Sequence, residues 1–319
     1  MQLRVIDSNL IRLHLGYSAC IALVREAMQS LSRGKPIHAP RQILPLDTGQ
    51  AFGVMPGAMG VGEVFGAKLV SVFPPGPGTH SSHQGVVVLF DPNSGAPVAI
   101  LDASEITRIR TAAASAVATA ALARAEASQL AILGYGEQAQ AHVAAIKEVR
   151  PLSRILVWGR NRERRERFAA EVAESSGIVC IAVDSAEAAA SEADIICTTT
   201  AAREPILEGA WIRPGTHVNV VGSSHAGPAE IDVPLVVASR FVADHRESVL
   251  RQGAEFLRAK AAGRVDDDHV VAEIGQVLLG EVPGRSIDEQ ITVYKSLGHI
   301  VQDLSSAWHV YQAVMRQDR

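Results

Sequence analysis

The chain has 319 residues, a formal net charge of −4, 47% hydrophobic residues and 20% charged residues, a balance that suits a soluble globular protein with room for two cores. That mild acidity leaves no electrostatic footprint for nucleic acid or an anionic membrane, and no apolar run reaches the length of a bilayer span. The three cysteines, Cys20, Cys180 and Cys197, are widely spaced and form no CxxC pair. They suggest neither a disulfide framework nor a metal site, and they read as buried small hydrophobes. The N-terminus mixes charged and apolar residues and does not read as a signal peptide, so a reducing cytoplasm is expected.

In chain order, Ser18 to Gly34 has helical periodicity with a glycine stop. Val64 to Phe73 and Gly85 to Asp91 predict strands, with the Pro- and Gly-rich "PPGPGTHSSHQ" as the loop between them. "DPNSGAPV" predicts a tight turn between two strands, since Pro92, Asn93 and Gly95 supply turn chemistry. Asp102 to about Ala127 predicts one alanine-rich helix, capped by Asp102 with Glu105 placed for a capping box, and bridging into a second domain. From Gln129 onward, apolar strands alternate with helices. Strands are expected at "LAILG", "RILVWG", "ADIICTTT", "THVNVVG" and "RFVADHR". The pattern means βαβ units and a parallel sheet with helices on both faces. "ITVYKSLGHIVQDLSSAWHVYQAV" is expected to be a turn followed by a long amphipathic helix that returns to the first domain.

The stretch "LAILGYGEQAQAH" runs from a strand through a glycine turn into a helix. A GxGxxA pattern alone is a weak signal, but here strand, turn and helix stand in the order that dinucleotide binding needs. Gly134 permits the tight turn, Gly136 lets the backbone approach a pyrophosphate, and Ala139 lets helix and strand pack closely. The helix start offers free N–H groups and a positive dipole end to phosphates. Gly134, Tyr135, Gly136, Glu137, Gln138 and Ala139 are therefore the expected cofactor cradle.

The next strand decides which dinucleotide. An NAD-binding fold usually ends that strand on Asp or Glu, which accepts the ribose hydroxyls. This chain reads "VWGRNRERRER" instead, with Arg160, Asn161 and Arg162 at the strand end. Two guanidinium groups suit a 2′-phosphate, so NADP(H) is the preferred cofactor and NAD(H) the other candidate. Arg164, Arg165 and Arg167 read as the solvated start of a charged helix.

Three cations stand out before residue 118. Lys68 lies on the same strand face as Val70 and Val72. A lysine there is costly unless something pairs with it. Arg110 lies among alanines, which leave room around a guanidinium, and Arg41 precedes the apolar "ILPL". Singly, each suits a snorkelling side chain or a structural ion pair. Together they suit a carboxylate clamp, although spacing alone does not show that they converge.

The chain resembles the ornithine cyclodeaminase/mu-crystallin family along nearly its whole length. The segments that carry the resemblance include "PRQIL", "GAKLVSVFPPGP", "GVVVLFDPNSGAPVAILDASEITRIRTAAASAVAT", "ILGYGEQAQAH", "VNVVGSSHAGPAEID" and "ITVYKSLGHIVQDL". The resemblance implies an α/β fold with a Rossmann-type doubly wound sheet at residues 118–294. It also implies a discontinuous α+β substrate-binding and dimerisation domain at residues 1–117 with 295–319, hence a homodimer. Arg41, Lys68 and Arg110 match the positions that hold the substrate carboxylate. Thr198, Thr199, Thr200, Ser223 and the segment Lys295 to Gly298 match those around the nicotinamide and its ribose.

One position departs from the cyclodeaminase pattern. True cyclodeaminases carry an aspartate after the glycine pair of the fifth Rossmann strand, and here Ser224 stands there, followed by His225. A hydroxyl is a poor base at neutral pH and cannot steady an ammonium as a carboxylate does. The resemblance therefore implies the reductase branch. The expected reaction is reduction of a cyclic imino acid, Δ1-pyrroline-2-carboxylate or Δ1-piperideine-2-carboxylate, to proline or pipecolate. Lys68 and Ser224 are the candidate catalytic residues, with Ser224 hydrogen-bonding the substrate nitrogen or a water. The alternatives are a cyclodeaminase with bound NAD, an alanine dehydrogenase-like oxidoreductase, and a non-catalytic binder that keeps the fold.

Overall fold

The computed structural model describes residues 3–73 and 83–317. Most of the expected "PPGPGTHSSHQ" loop, at 74–82, lies outside them. In chain order the strands and helices are β1 (Arg4–Ile6), α1 (Ser8–His14), α2 (Tyr17–Ser32), β2 (Ile37–His38), β3 (Gln42–Asp47), β4 (Gln50–Ala58), β5 (Phe65–Val72), β6 (His83–Phe90), β7 (Pro97–Asp102) and α3 (Ala103–Leu122). There follow β8 (Gln129–Leu133), α4 (Glu137–Ile146), β9 (Arg154–Trp158), α5 (Arg162–Ser176), β10 (Val179–Ala182), α6 (Ala186–Ala190), β11 (Ile195–Thr198) and β12 (His217–Val220). The chain ends with α7 (Val233–Ala238), β13 (Arg240–Ala243), α8 (Arg246–Gln252), α9 (Ala254–Ala261), β14 (Val270–Glu273), α10 (Ile274–Leu278), β15 (Thr292–Lys295) and α11 (Ile300–Gln317).

Two compact units result, one of Met1–Arg110 with His299–Arg319 and one of Thr111–Gly298. The first is built on a sheet of order β1-β7-β6-β5-β4-β2, with β3 also paired to β4. All its pairings are antiparallel except β1 with β7. The expected turn after β6 forms as its residues dictate: Asp91 accepts from the N–H groups of Asn93 and Ser94, and Gly95 takes φ +71°. Helix α11 packs on β4, β5 and β6, and α2 packs on α11. That contact buries Val24, Met28 and Leu31 from α2 and Ile300, Val301 and Leu304 from α11.

Helix α3 begins where its cap predicts. Asp102 accepts from the N–H groups of Ser104 at 2.7 Å and Glu105 at 3.2 Å. Glu105 does not complete the capping box; its carboxylate turns to Arg12 at 3.1 Å and Arg108 at 2.5 Å. The helix also stops at Leu122, short of the expected Ala127. There the Arg150 guanidinium takes the carbonyls of Thr119, Ala123 and Arg124, so the last turn is satisfied from the side.

The second unit is a wholly parallel sheet of order β10-β9-β8-β11-β12-β15-β13-β14. Its first five strands run in the Rossmann order 3-2-1-4-5, and the sixth place is taken by β15, the last strand of the unit, inserted between β12 and β13. The central strands β11 and β12 are buried at every position, as a sheet covered on both faces requires. One expectation fails here. "TVYK" is not a turn but the fully buried strand β15, paired with β12 and β13. Its terminal lysine hid it, because a lysine ordinarily marks the surface.

No helix among the described residues is long and apolar enough to cross a membrane. Cys20 and Cys197 are buried as expected, Cys180 only partly. Burial pushes all three thiols up to about 12, so they are not reactive thiolates.

Candidate active site

In the Thr111–Gly298 unit, the strand order reverses between β8 and β11, the switch point at which doubly wound folds bind ligands. The glycine turn leaves β8 at that point. Gly134 takes φ +128°, and a Cβ on it would meet Thr199 Oγ1 at 2.7 Å and Thr199 O at 2.8 Å. Only glycine lets the two loops close this tightly. Gly136 is the N-cap of α4, without any side-chain capping bond, and open space lies over its missing Cβ. Gln138 Oε1, in the first turn of α4, is buried without a hydrogen-bond partner. Uncapped first-turn N–H groups, a glycine that admits a close neighbour and an orphaned polar atom together fit a pyrophosphate. Glu137 opens the helix, and Ala139 is fully buried against the sheet.

At the end of β9 the arginines separate into distinct groups. Arg160 is exposed. The Asn161 side chain caps α5 by accepting from Arg164 N–H at 2.9 Å. Arg162 pairs with Glu166 at 2.7 Å on the exposed face. Arg165, expected to be solvated, is buried and bonds Asp184 and the Gly159 carbonyl.

The loops after β11, β12 and β15 are tied down by carboxylates that sequence reasoning missed. Glu230 is fully buried and accepts from Thr198 Oγ1, Thr200 N and Thr200 Oγ1, each at 2.7 Å, and from Gly222 N at 2.6 Å. Burial pushes its carboxyl up against these donors, which favour the anion. Lys295 ends β15 fully buried, donating to Ser223 O and Ser223 Oγ, each at 2.6 Å, and pairing with Glu255 Oε2 at 2.7 Å. Glu255 also accepts from Ser223 Oγ and from Glu230 N. Burial would raise the Glu255 carboxyl, but the Lys295 charge and the hydrogen bonds from Lys295 and Ser223 together outweigh it and hold it low. Asp244 Oδ2 receives the N–H groups of Leu297 at 2.7 Å and Gly298 at 2.6 Å, which fixes the segment after Lys295 with Gly298 at φ +81°. Ser224 is half-buried and His225 exposed, directly after the anchored Ser223.

The other unit holds the cations. Lys68 on β5 is 4% exposed and Arg110 on α3 is 5% exposed. Both bond one carboxylate oxygen, Asp303 Oδ1 on α11, Lys68 Nζ at 3.2 Å and Arg110 Nε at 3.0 Å. Lys68 also donates to Thr107 Oγ1 at 2.5 Å, and Arg110 Nη1 donates to Gln302 Oε1 at 3.0 Å. Asp303 Oδ2 is buried without a hydrogen-bond partner.

Burial lowers the Lys68 pKa to about 8; Asp303 opposes that shift, and the charges of Arg110 and Arg41 add to it. Arg41, half-buried before β3, thus belongs to the same electrostatic neighbourhood. Burial would raise the Asp303 carboxyl, but Arg110 and Lys68 outweigh it and hold it below its usual range. Two buried cations sharing one carboxylate leave positive charge over, which a low-polarity interior tolerates poorly without an anion.

Residues 5–318 match the model of the ornithine cyclodeaminase/mu-crystallin family. The chain is 35% identical to the mouse (Mus musculus) ketimine reductase mu-crystallin, over 93% of this chain and 92% of that one. It is 33% identical to a Δ1-pyrroline-2-carboxylate reductase of Bacillus cereus, over 98% of this chain and 97% of that one. The structure of Thermococcus litoralis Δ1-pyrroline-2-carboxylate reductase in complex with NADH and L-proline superposes with a TM-score of 0.95 at 31% identity, covering 99% of this chain and 98% of that one. With its Rossmann unit, its discontinuous second unit and a match along almost its full length, the chain belongs to the ornithine cyclodeaminase/mu-crystallin family.

Proposed function

We propose that the protein reduces a cyclic imino acid, Δ1-pyrroline-2-carboxylate or its six-membered homologue, to the corresponding amino acid with NADPH. The observation that carries the reading is the cation excess around Asp303, because a substrate carboxylate supplies the missing negative charge. The names of the reductases at 33–35% identity point the same way.

A nicotinamide coenzyme, when bound, supplies the hydride. The chain's own residues do the rest. Gly134 to Ala139 receive the pyrophosphate, and Arg160 is the cation of the corner that takes the 2′-phosphate, beside Asn161, which caps α5, and Arg162, which pairs with Glu166. Thr198, Thr199, Thr200, Ser223, Lys295 and Gly298 belong to the loops that surround the nicotinamide end, where Glu230, Glu255 and Asp244 hold them. Arg110 and Arg41 grip the carboxylate and orient the imine carbon, a positioning effect. Lys68 completes the anion site and delivers a proton toward the ring nitrogen. With a pKa of about 8 it is charged at neutral pH yet more acidic than an ordinary lysine, which suits a general acid. Ser224 supplies a hydroxyl where a cyclodeaminase needs a carboxylate.

The same reading makes the protein a homodimer through its substrate unit. All six residues of β3 are exposed, with Ile43 at 46%, Leu44 at 59% and Leu46 at 52%, an apolar strand surface that a subunit contact would cover.

The test is a panel of five- and six-membered cyclic imino acids with each coenzyme, alongside ornithine with catalytic NAD. NADPH consumption with the imines and little ammonia from ornithine is the expected result. Brisk conversion of ornithine to proline without net coenzyme change would overturn the assignment.

A further inference from the structure

The corner between the glycine turn and the end of β9 carries a feature that the arginine pattern alone does not explain. Gly159, the first residue after β9, has the Tyr135 ring lying directly on it. A Cβ at Gly159 would meet Tyr135 Cε1 at 2.2 Å and Cδ1 at 2.3 Å. No side chain fits at that position while the ring stays in place, so a strand-end carboxylate is sterically excluded there. On the same ring sits Arg164, its guanidinium carbon 4.9 Å from the centroid. Such a contact orients an exposed guanidinium. Its backbone is fixed as well, since Arg164 N–H is the group that Asn161 caps.

Tyr135 and Arg164, with Arg167, Phe168 and Glu171, line a surface cleft of about 200 Å³. Glu171 is its one carboxylate and lies seven residues beyond Arg164 on α5. Of the neighbouring arginines, Arg162 is committed to Glu166 and Arg165 to Asp184, while Arg167 lines the cleft beside Arg164.

We propose that Tyr135 and Arg164 act as one stacked pair that reads the 2′-phosphate of NADP(H), the ring filling the place of a strand-end carboxylate and aiming Arg164 as the second guanidinium beside Arg160. This rests on the NADPH reading above and names the residues that enforce it. Tyr135 sits inside the glycine turn, one residue from the pyrophosphate cradle, and its ring reaches the strand end where the adenosine ribose belongs. In this arrangement one residue both removes the group that would repel a phosphate and holds the group that attracts it. Arg164 is the specificity-determining contact and Tyr135 the positioning residue.

Binding, rather than turnover, tests the pair. Adenosine 2′,5′-bisphosphate and adenosine 5′-monophosphate differ only in the 2′-phosphate, so the ratio of their dissociation constants isolates it. NADPH and NADH are titrated in parallel by nicotinamide fluorescence. Arg164 is exposed, so Arg164→Met should fold and melt like the parent. It should weaken the bisphosphate and NADPH roughly tenfold, as loss of a charge-assisted contact does, and the monophosphate and NADH less than about twofold. Tyr135→Phe keeps the ring and should leave the ratio unchanged. Tyr135→Ala frees Arg164 and should weaken the bisphosphate relative to the monophosphate.

An Arg164→Met protein that keeps the parental ratio, while Arg160→Ala loses it, overturns the proposal and leaves the NADPH reading standing. Equal weakening of both probes by Arg164→Met also overturns it. A parent protein that binds the two probes equally removes the NADPH reading and this proposal together.

Discussion

Each unit buries a cluster of charges, and the two clusters are built in opposite senses. In the Met1–Arg110 and His299–Arg319 unit, Lys68 and Arg110 share the single carboxylate of Asp303, and one of its oxygens has no partner. In the Thr111–Gly298 unit, one lysine, Lys295, stands among two carboxylates, Glu230 and Glu255. There the excess negative charge is taken up by backbone N–H groups and hydroxyls of Thr198, Thr200, Gly222 and Ser223. The first cluster is cation-rich and incomplete without an anion. The second is closed on itself and shapes three loops. The lesson is that a buried ion pair need not mean stability, or function, in the same way twice. What distinguishes them is the sign of the uncompensated charge and whether the backbone absorbs it.

The largest effect should come from opening the closed cluster. In Glu230→Gln, an amide NH₂ replaces one of two oxygens that both face donors, Oε1 those of Thr200 and Oε2 those of Thr198 and Gly222. A buried donor opposed to a donor costs about 2–4 kcal/mol. For a unit of this size that is a fall of roughly 5–15 °C in melting temperature. Coenzyme affinity should fall with it, because the Thr198 to Thr200 loop loses its anchor. A variant that melts and binds coenzyme like the parent would show that Glu230 is a bystander.

Much of this was legible in the sequence, and the boundary of what was legible has a physical cause. The glycine turn, Asp102 as a cap and the strands β8, β9, β11, β12 and β13 were readable because each is encoded within a few residues. Lys68, Arg110 and Arg41 were readable as a set only through the family resemblance. Asp303 was not singled out at all. It lies 235 residues from Lys68 and 193 from Arg110, and on its own it is one polar residue in an amphipathic helix. Glu230 and Glu255 were missed for the same reason, their partners being loops of distant strands. β15 was lost to Lys295, a buried lysine whose compensation by Glu255 and Ser223 is invisible locally. Local chemistry is written in short segments, whereas charge compensation is a property of the folded whole.

The open cluster should respond differently, in ligand binding before stability. Arg110→Met keeps length and an apolar stem but removes the fork of donors. Its loss leaves Asp303 paired with Lys68 alone, one cation to one carboxylate, so the protein should fold. Turnover of the imino acid, measured as kcat/KM, should fall about 10- to 100-fold, the worth of a charge-assisted contact of roughly 1.5–3 kcal/mol. Coenzyme affinity should stay within about twofold. If coenzyme affinity collapses while imino-acid binding survives, Arg110 serves structure rather than the carboxylate.

The smallest effect separates the clusters by pH. Lys68 titrates near 8 in the folded protein, chiefly because it is buried, and near 10.5 when the chain is unfolded. Below pH 8 both states hold the proton, and the folded state bears the cost of a buried ammonium. Between 8 and 10.5 the unfolded chain binds more protons than the folded one, so stability contributed by this site rises with pH. Anion binding runs the other way, because the neutral amine no longer attracts a carboxylate. Cyclopentanecarboxylate is a suitable probe, since it has the ring and the carboxylate but no nitrogen to titrate. Its affinity should fall about tenfold between roughly pH 7 and pH 9, following the charged fraction of a group with that pKa. Lys68→Met should bind it weakly and without that slope. The difference in stability between parent and Lys68→Met should move in the parent's favour over the same alkaline range. Affinity that stays level across that range would mean that Lys68 keeps its proton and that Arg110 and Arg41 alone hold the anion.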